Sequence, residues 1–325
     1  MSDITASAAM MRRGNRSAFH SWKRAWVRSL RKYWQLYLLL IPVVVYYIMF
    51  KYVPMAGVQI AFKEFSFRKG IWGSAWVGLE HFERFFSSKK SFEIIWNTLS
   101  LSVMSMLITF PLPIALALLF NELHNQKLKK VVQTITYAPH FVSTVVVVGM
   151  MFAMCSLTTG VVNKIIVACG ISDTPLYLMG YAKYFRMMYI ISDIWKNTGW
   201  SAIIFVSALA AIDPTLYEAA RVDGANRVKQ LIHVTLPSIL PTVVIMLILK
   251  SGNVLSIGFE KAYAMQTDLN KSVSEVISTY TYKQGINDME YDYATAIGLM
   301  ESVVSFILLV IVNYASRKLS ETSLW

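Results

Sequence analysis

The chain has 325 residues, 55% of them hydrophobic and only 15% charged, with a mean hydropathy of +0.47. Soluble domains carry roughly 25% charged residues, so a water-soluble globular protein is excluded, and the apolar residues fall in blocks near the ~20 that cross a bilayer. The formal net charge of +12 does not point to nucleic acid, because the basic residues crowd the end of an apolar block, where anionic lipid attracts them.

In chain order, residues 1–32 form a basic tail in which Arg12, Arg13, Arg16, Lys23, Arg24, Arg28, Arg31 and Lys32 run up to the first apolar block. No small-residue cleavage site follows, so no cleavable leader is expected. The first span is predicted at 33–50, edged by Tyr and Trp as membrane interfaces favour, and an outer-face loop at 51–93 follows. A transmembrane domain is expected over 94–315, with spans near 94–120, 131–154, 187–211, 237–258 and 294–315. The runs are continuous rather than alternating. The expected fold class is therefore an all-α integral membrane protein with six transmembrane helices. Pro111 and Pro113 predict a kink or a partly unwound turn in the second span.

The segment 160–170, GVVNKIIVACG, is too short to span and predicts an interfacial helix on the outer face, closed by Gly170. The polar stretch 259–292 reads as an outer-face loop with a short helix near 271–281, and 316–325 as a C-terminal tail. Six spans put both termini on one side. The basic tail, Lys127, Lys129 and Lys130 in the 121–130 loop, and Arg317 and Lys318 mark that side as cytoplasmic. The bias is not uniform, since Lys51, Lys63, Arg68, Lys69, Arg84, Lys89 and Lys90 fall in or beside the outer-face loop.

Several chemistries find no motif. There is no phosphate-binding G-x-x-x-x-G-K-[ST] loop, no HExxH, no GxSxG and no CxxC. The histidines His20, His81, His124, His140 and His233 are scattered, and Cys155 and Cys169 have neither zinc-site spacing nor the numbers of a disulfide framework. The chain is expected to be no enzyme and to hold no cofactor of its own, so the energy for any transport must come from a partner.

The stretch 218–237, EAARVDGANRVKQLIHVTLP, lies between the fourth and fifth spans and is polar where a short connection would suffice. Glu218, Ala219 and Ala220 suit a helix, and small alanines allow a partner surface to approach closely. Asp223, Gly224 and Ala225 permit a sharp turn, with Gly224 ending the helix. Leu236 and Pro237 are expected to start the fifth span, Pro being tolerated in a first turn. This stretch resembles the EAA loop of the membrane subunits of binding-protein-dependent ABC importers. DIWKNTGW (193–200), LAAIDPTLYEAARVDGA (209–225) and TLPSILPT (235–242) follow in the family's order.

The resemblance implies the type I, maltose-importer-like permease fold in the bacterial cytoplasmic membrane. It implies that the EAA loop is a coupling helix docked on an ATPase homodimer that binds ATP and Mg, with Glu218 meeting an Arg near the ATPase Q-loop. Asp223 is either a second contact or a turn-stabilising side chain. It further implies a second, related permease subunit and an external solute-binding protein. LKSGNVLSIGFEKAYAMQ (249–266), SEVISTYTYK (274–283) and the terminal SLW (323–325) resemble the complex-oligosaccharide branch. That branch handles pectin fragments and alginate, and includes the first membrane subunits of alginate importers.

Charges inside spans are costly and face a cavity or a partner. Lys196, Lys250 and Glu301 fall in three different spans. At 1.5 Å per residue they lie about 22, 20 and 21 Å from the cytoplasmic end. Asn197, Trp200 and Asn253 flank the lysines, offering hydrogen bonds and an aromatic face to a sugar ring. By resemblance, these stretches line the substrate cavity. Two readings stand side by side: the lysines select an acidic, alginate-like uronate oligomer, or one of them pairs with Glu301 and only joins helices. The aromatic residues Phe110, Phe120, Phe152 and Phe205 are expected to pack or to face lipid. The alternative functions are a permease of the same fold for a neutral or pectin-derived oligosaccharide, or for a peptide, phosphate or amino acid, and a non-transport membrane scaffold.

Overall fold

The computed structural model describes residues 32–255 and 257–320, with the side chains of 319 and 320 left undescribed. The basic tail up to Arg31 and the terminal SLW lie outside the described residues. The chain divides into two compact units, Met1–Gln59 and Ile60–Trp325.

The first apolar block forms α1 (Lys32–Phe62), which continues well beyond the expected end at residue 50. Pro54 does not stop it. A π-turn over Ile48–Tyr52 precedes the proline, which then occupies a first-turn position where its missing N–H leaves no bond unmade. A two-stranded antiparallel sheet pairs Lys63–Glu64 with Ala75–Trp76. It is followed by the short amphipathic α2 (Glu80–Ser87), which buries His81 and Phe85.

The second span is α3 (Lys89–Glu122). The kink or partly unwound turn expected at its prolines is a short break in the helix at Phe110. Pro111 opens the second half at N1 while Phe110 keeps helical angles, φ −77 and ψ −43, so the interruption is one residue deep. The third span departs more from expectation. In place of a continuous helix over 131–154, α4 (Gln126–Phe141) and α5 (Thr144–Met154) meet at an angle of 99°. Pro139 lies in a closing 3-10 turn, Val142 and Ser143 are extended, and the Ser143 side chain accepts a hydrogen bond from the Val146 N–H to cap a new helix. The sequence signs of this bend are Pro139, His140 and Ser143, which interrupt the apolar run between the two pieces.

The expected short helix is α6 (Val161–Ala168), and Gly170 closes it at φ +69, a left-handed value that glycine adopts without cost. The fourth span is α7 (Ala182–Ala210), and α8 (Pro214–Val222) leaves it at 66°. The fifth is α9 (Arg227–Gly252). Between the fifth and sixth come α10 (Phe259–Ala264) and α11 (Ile277–Tyr282), and α12 (Tyr291–Ser320) is the sixth. Among the described residues, α1, α3, α9 and α12 are long and apolar enough to cross a membrane. The total rises to six if each of the bent pairs α4/α5 and α7/α8 is one span.

Within the second unit α7 is the central element. Ala202, Phe205 and Leu209 pack with Ala117 of α3 and Ile239 of α9 in one cluster. Phe185, Met188 and Tyr189 pack with Leu101, Val148, Ile257 and Met265 in another. Gly199 lets α7 approach α4 at backbone distance, since a Cβ there would stand 2.1 Å from the Thr136 carbonyl oxygen. Small residues at crossings are how membrane helices pack, because dispersion contacts replace the hydrophobic effect there. Phe120 and Phe205 are packing residues, at 1% and 2% exposure.

Candidate functional site

Two regions carry the residues singled out from the sequence, and the first is the turn after α8. Asp213 is its N-cap, its side chain accepting from the Thr215 N–H at 2.9 Å, with Pro214 at the first helical position. That backbone hydrogen bond holds the Asp213 carboxyl below the usual carboxylate range. At the other end Gly224 takes φ +73. The Ala225 N–H reaches the Ala220 carbonyl at 2.8 Å and the Gly224 N–H reaches Arg221 at 3.0 Å. This pair of bonds is a Schellman closure, which satisfies carbonyls left over at a helix end. The helix is thus closed at both ends by its own sequence. Glu218 and Ala219 on α8, and Asp223 and Gly224 after it, are exposed, while Ala220 and Ala225 are half-buried.

The next helix starts earlier than Leu236. Asn226 caps it through the Lys229 N–H at 2.9 Å, and it runs from Arg227 through a π-turn at Leu231–Thr235 into Leu236–Gly252. Pro237 does sit in the first turn of that last stretch, as expected. The π-turn absorbs the register change ahead of a ring that would crowd the preceding turn. Tyr217 Oη meets Thr235 Oγ1 at 3.0 Å, and Gln230 Nε2 donates to the Ala225 carbonyl at 2.8 Å. These bonds tie α8 and its turn to α9. A cavity of about 530 Å³ lies under the turn, lined by Glu122, His124, Tyr217, Arg221 and Arg227 among others. Arg227 stands 3.7 Å from Glu122. Val222 on α8 is 89% exposed, an apolar side chain at a polar end of the molecule.

The second region is a pair of adjoining polar cavities at the middle of α7. One, of about 450 Å³, is lined by His140, Thr144, Asp193, Lys196, Asn197 and Lys261, with others. The other, of about 160 Å³, is lined by Ser102, Ser105, Tyr189, Asp193, Lys250 and Asn253, with others. Asp193, Tyr189 and Gly258 belong to both. Four of the six residues expected at a substrate cavity therefore come together here. Trp200 lies one step back, its ring stacked on His140 at 4.6 Å and 2°. Glu301, on α12, is not among the described lining residues of either cavity.

Lys196 Nζ donates to Thr144 Oγ1 and Lys250 Nζ to Thr109 Oγ1, each at 2.8 Å. A hydroxyl satisfies one of three ammonium donors and brings no compensating charge. Lys261 differs. Its Nζ donates to Asp193 Oδ1 at 3.0 Å and to the Tyr189 carbonyl at 3.3 Å, and lies 3.6 Å from the centre of the Tyr189 ring. Asn197 Nδ2 also donates to Asp193 Oδ1, at 2.9 Å, which sets the direction of that amide because a carboxylate only accepts. The Asn197 Oδ1 then faces His140 Nδ1 at 3.0 Å, so the imidazole proton in this contact sits on Nδ1.

Sequence reading missed Asp193, Lys261, His140 and Tyr189. Asp193 falls four residues before Asn197, so the helical spacing that puts it beside the amide was legible. Lys261 was not, because it sits on α10, in a segment read as outer-face loop. Between α10 and α11, Glu275 is held by Lys90 and Lys283, each at 3.0 Å. Burial alone would raise its carboxyl, but the two ammonium groups outweigh that and hold it below its ordinary range.

Residues 109–321 match the family described as binding-protein-dependent transport system inner membrane component. Protein LplB of Bacillus subtilis is 42% identical over 301 residues, covering 93% of this chain and 94% of the relative. The polygalacturonan/rhamnogalacturonan transport system permease protein YteP of the same organism is 42% identical over 290 residues, covering 89% and 90%. Among solved structures, a bacterial ABC transporter involved in import of the acidic polysaccharide alginate contains a chain that is 38% identical, with a TM-score of 0.83. The match covers 91% of this chain and 99% of that one. A structure of a bacterial alginate ABC transporter with an alginate pentasaccharide-bound periplasmic protein matches at 37% identity and the same TM-score of 0.83.

Proposed function

The chain belongs to the family of inner membrane components of binding-protein-dependent transport systems, and from that premise we propose that it is the permease subunit of an importer of acidic oligosaccharides. The observation that carries the substrate class is the state of Lys196 and Lys250. Two ammonium groups in adjoining cavities each make a neutral hydroxyl contact, leaving donors for carboxylates of a sugar chain. Asn197 and Asn253 supply the neutral hydrogen bonds that sugar hydroxyls need, and the Trp200–His140 stack stands behind the cavity wall. The likeness to chains of alginate importers and to a polygalacturonan/rhamnogalacturonan permease supports the same class.

In this reading α8 and its turn are the coupling helix. Glu218, Ala219, Ala220, Asp223, Gly224 and Ala225 present the docking surface to an ATPase at the cytoplasmic face. Leu236 and Pro237, just past the π-turn, pass the motion along α9. ATP binding draws two such helices together, one from this chain and one from a second permease subunit, and the cavity opens outward to a loaded external binding protein. Hydrolysis in the ATPase resets it. Docking and substrate loading bias one two-state element, which is what coupling between distant sites requires.

The experiment is uptake by the assembled transporter carrying Lys196→Gln and Lys250→Gln together. Hydrogen bonds to charged groups contribute about 1.5–3 kcal/mol each. Half-saturation for an oligouronate is therefore expected to rise at least ~10-fold, while its carboxyl-reduced counterpart is little affected. Oligouronate uptake at the native rate and half-saturation would remove charge selection from the proposal.

A further inference from the structure

We propose that Asp193 sets the charge specificity of the cavity by acting as the resident counter-ion of Lys261, so that two of the cavity's three lysines, not all three, are left to receive substrate carboxylates. The inference rests on the reading that the cavity takes an acidic oligosaccharide, and it names the residue that tunes that selectivity.

The geometry is asymmetric. Lys196, Lys250 and Lys261 all line the adjoining cavities, and Asp193 is the one carboxylate common to both. Its Oδ1 accepts from Lys261 and from Asn197. The Lys261 side chain is only 12% exposed and is further held by the Tyr189 carbonyl and ring face. A cation already hydrogen-bonded, paired and stacked gains little from an incoming carboxylate, and an exchange would leave Asp193 facing that carboxylate unpaired. Lys196 and Lys250 hydrogen-bond to hydroxyls, and although Lys250 feels the Asp193 charge at longer range, neither would have to give up a direct ion pair. The other acidic lining residue, Glu260, is exposed at the rim, where solvent screens it. Asp193 therefore lowers the cavity's positive charge at one place and divides the remaining two cations between two compartments. A chain with carboxylates on successive sugars is accepted, while a small anion gains little from a single lysine.

The test compares three variants of the complete transporter, reconstituted in proteoliposomes with its ATPase and binding protein. ATP hydrolysis is followed against the concentration of an oligouronate and of its carboxyl-reduced, neutral counterpart. Asp193→Asn keeps the side-chain shape and the Lys261 contact but removes the counter-charge. It is expected to lower half-saturation for the oligouronate about tenfold at low salt, with the gain shrinking as salt rises, and to move that for the neutral sugar by much less and with no salt dependence. Lys261→Met leaves Asp193 unpaired in the cavity and is expected to raise oligouronate half-saturation by a similar factor. The double variant is expected to return close to the native value, a recovery that a role in folding alone would not give. Equal shifts for both sugars in Asp193→Asn, or a double variant worse than either single, overturn the role of Asp193 while leaving the acidic substrate standing. A native transporter stimulated by the neutral sugar and not by the oligouronate overturns the substrate class and this inference with it.

Discussion

Single residues decide two separate things in this chain, how closely helices approach and how the α8 turn closes. Gly199 has no room for a side chain. Alanine there would place a carbon 2.1 Å from the Thr136 carbonyl oxygen, and backbone cannot step aside as a side-chain tip can. Gly199→Ala is expected to cost about 1–3 kcal/mol and to lower the thermal midpoint in mild detergent measurably. A midpoint equal to the native one would show that α4 and α7 separate at no cost. Gly224 is the opposite case, with open space around it and strain only in φ. Gly224→Ala should cost about 1–2 kcal/mol locally and loosen the turn. Glu218→Ala, on an exposed position, should leave the midpoint unchanged. Both variants are expected to lose the ATPase on co-purification from membranes. Retention of the ATPase by both would move the docking site elsewhere.

At the scale of elements, the helices follow from apolar runs and the breaks follow from short polar devices. Pro111 changes little because it starts a helical half, whereas Pro139, followed by extended Val142 and Ser143, turns the chain through 99°. The segments read from sequence as outer-face loops are organised in part by ion pairs, with Glu275 joined to both Lys90 and Lys283. Its carboxyl is depressed in the folded protein, so its contribution is fully present above the ordinary carboxylate range. That contribution is lost as pH falls through the lowered value. Glu275→Gln should therefore be less stable than the native chain at neutral pH, with the gap closing as the solution is made acid. Thermal midpoints measured from pH 7 to pH 3 check this, and a gap that widens in acid would contradict the assignment. Lys90 is half-exposed, which limits the share its charge contributes.

For the whole molecule, the functional reading requires the α8 turn and the α2 region to face opposite sides of the membrane. Val222 and Trp72 are 89% and 81% exposed in this chain alone, so cysteines placed there are open to reagent when the chain is expressed without its ATPase. In a background with Cys155 and Cys169 replaced by serine, Val222→Cys is expected to react with a membrane-impermeant maleimide only in inside-out vesicles. Trp72→Cys should react only in right-side-out vesicles. Labelling of both from one side would refute the six-span topology.

The sequence by itself determined the membrane class, the long apolar helices and the glycine-closed turn after α8. These depend on local quantities: the length of apolar runs, the cost of unpaired backbone in lipid, and turn residues at fixed spacing. It also singled out Lys196, Asn197, Lys250 and Asn253, since charge and amide groups are conspicuous in an apolar run. Only the tertiary structure decided that hydroxyls of Thr144 and Thr109 answer those lysines and that Asp193 answers a third, Lys261. Asp193 and Lys261 are 68 residues apart, on a span and on a segment read as loop, and no periodicity links them. Pairing across such a distance is fixed by how α10 folds back on α7, which depends on packing between helices and not on the pattern within either one.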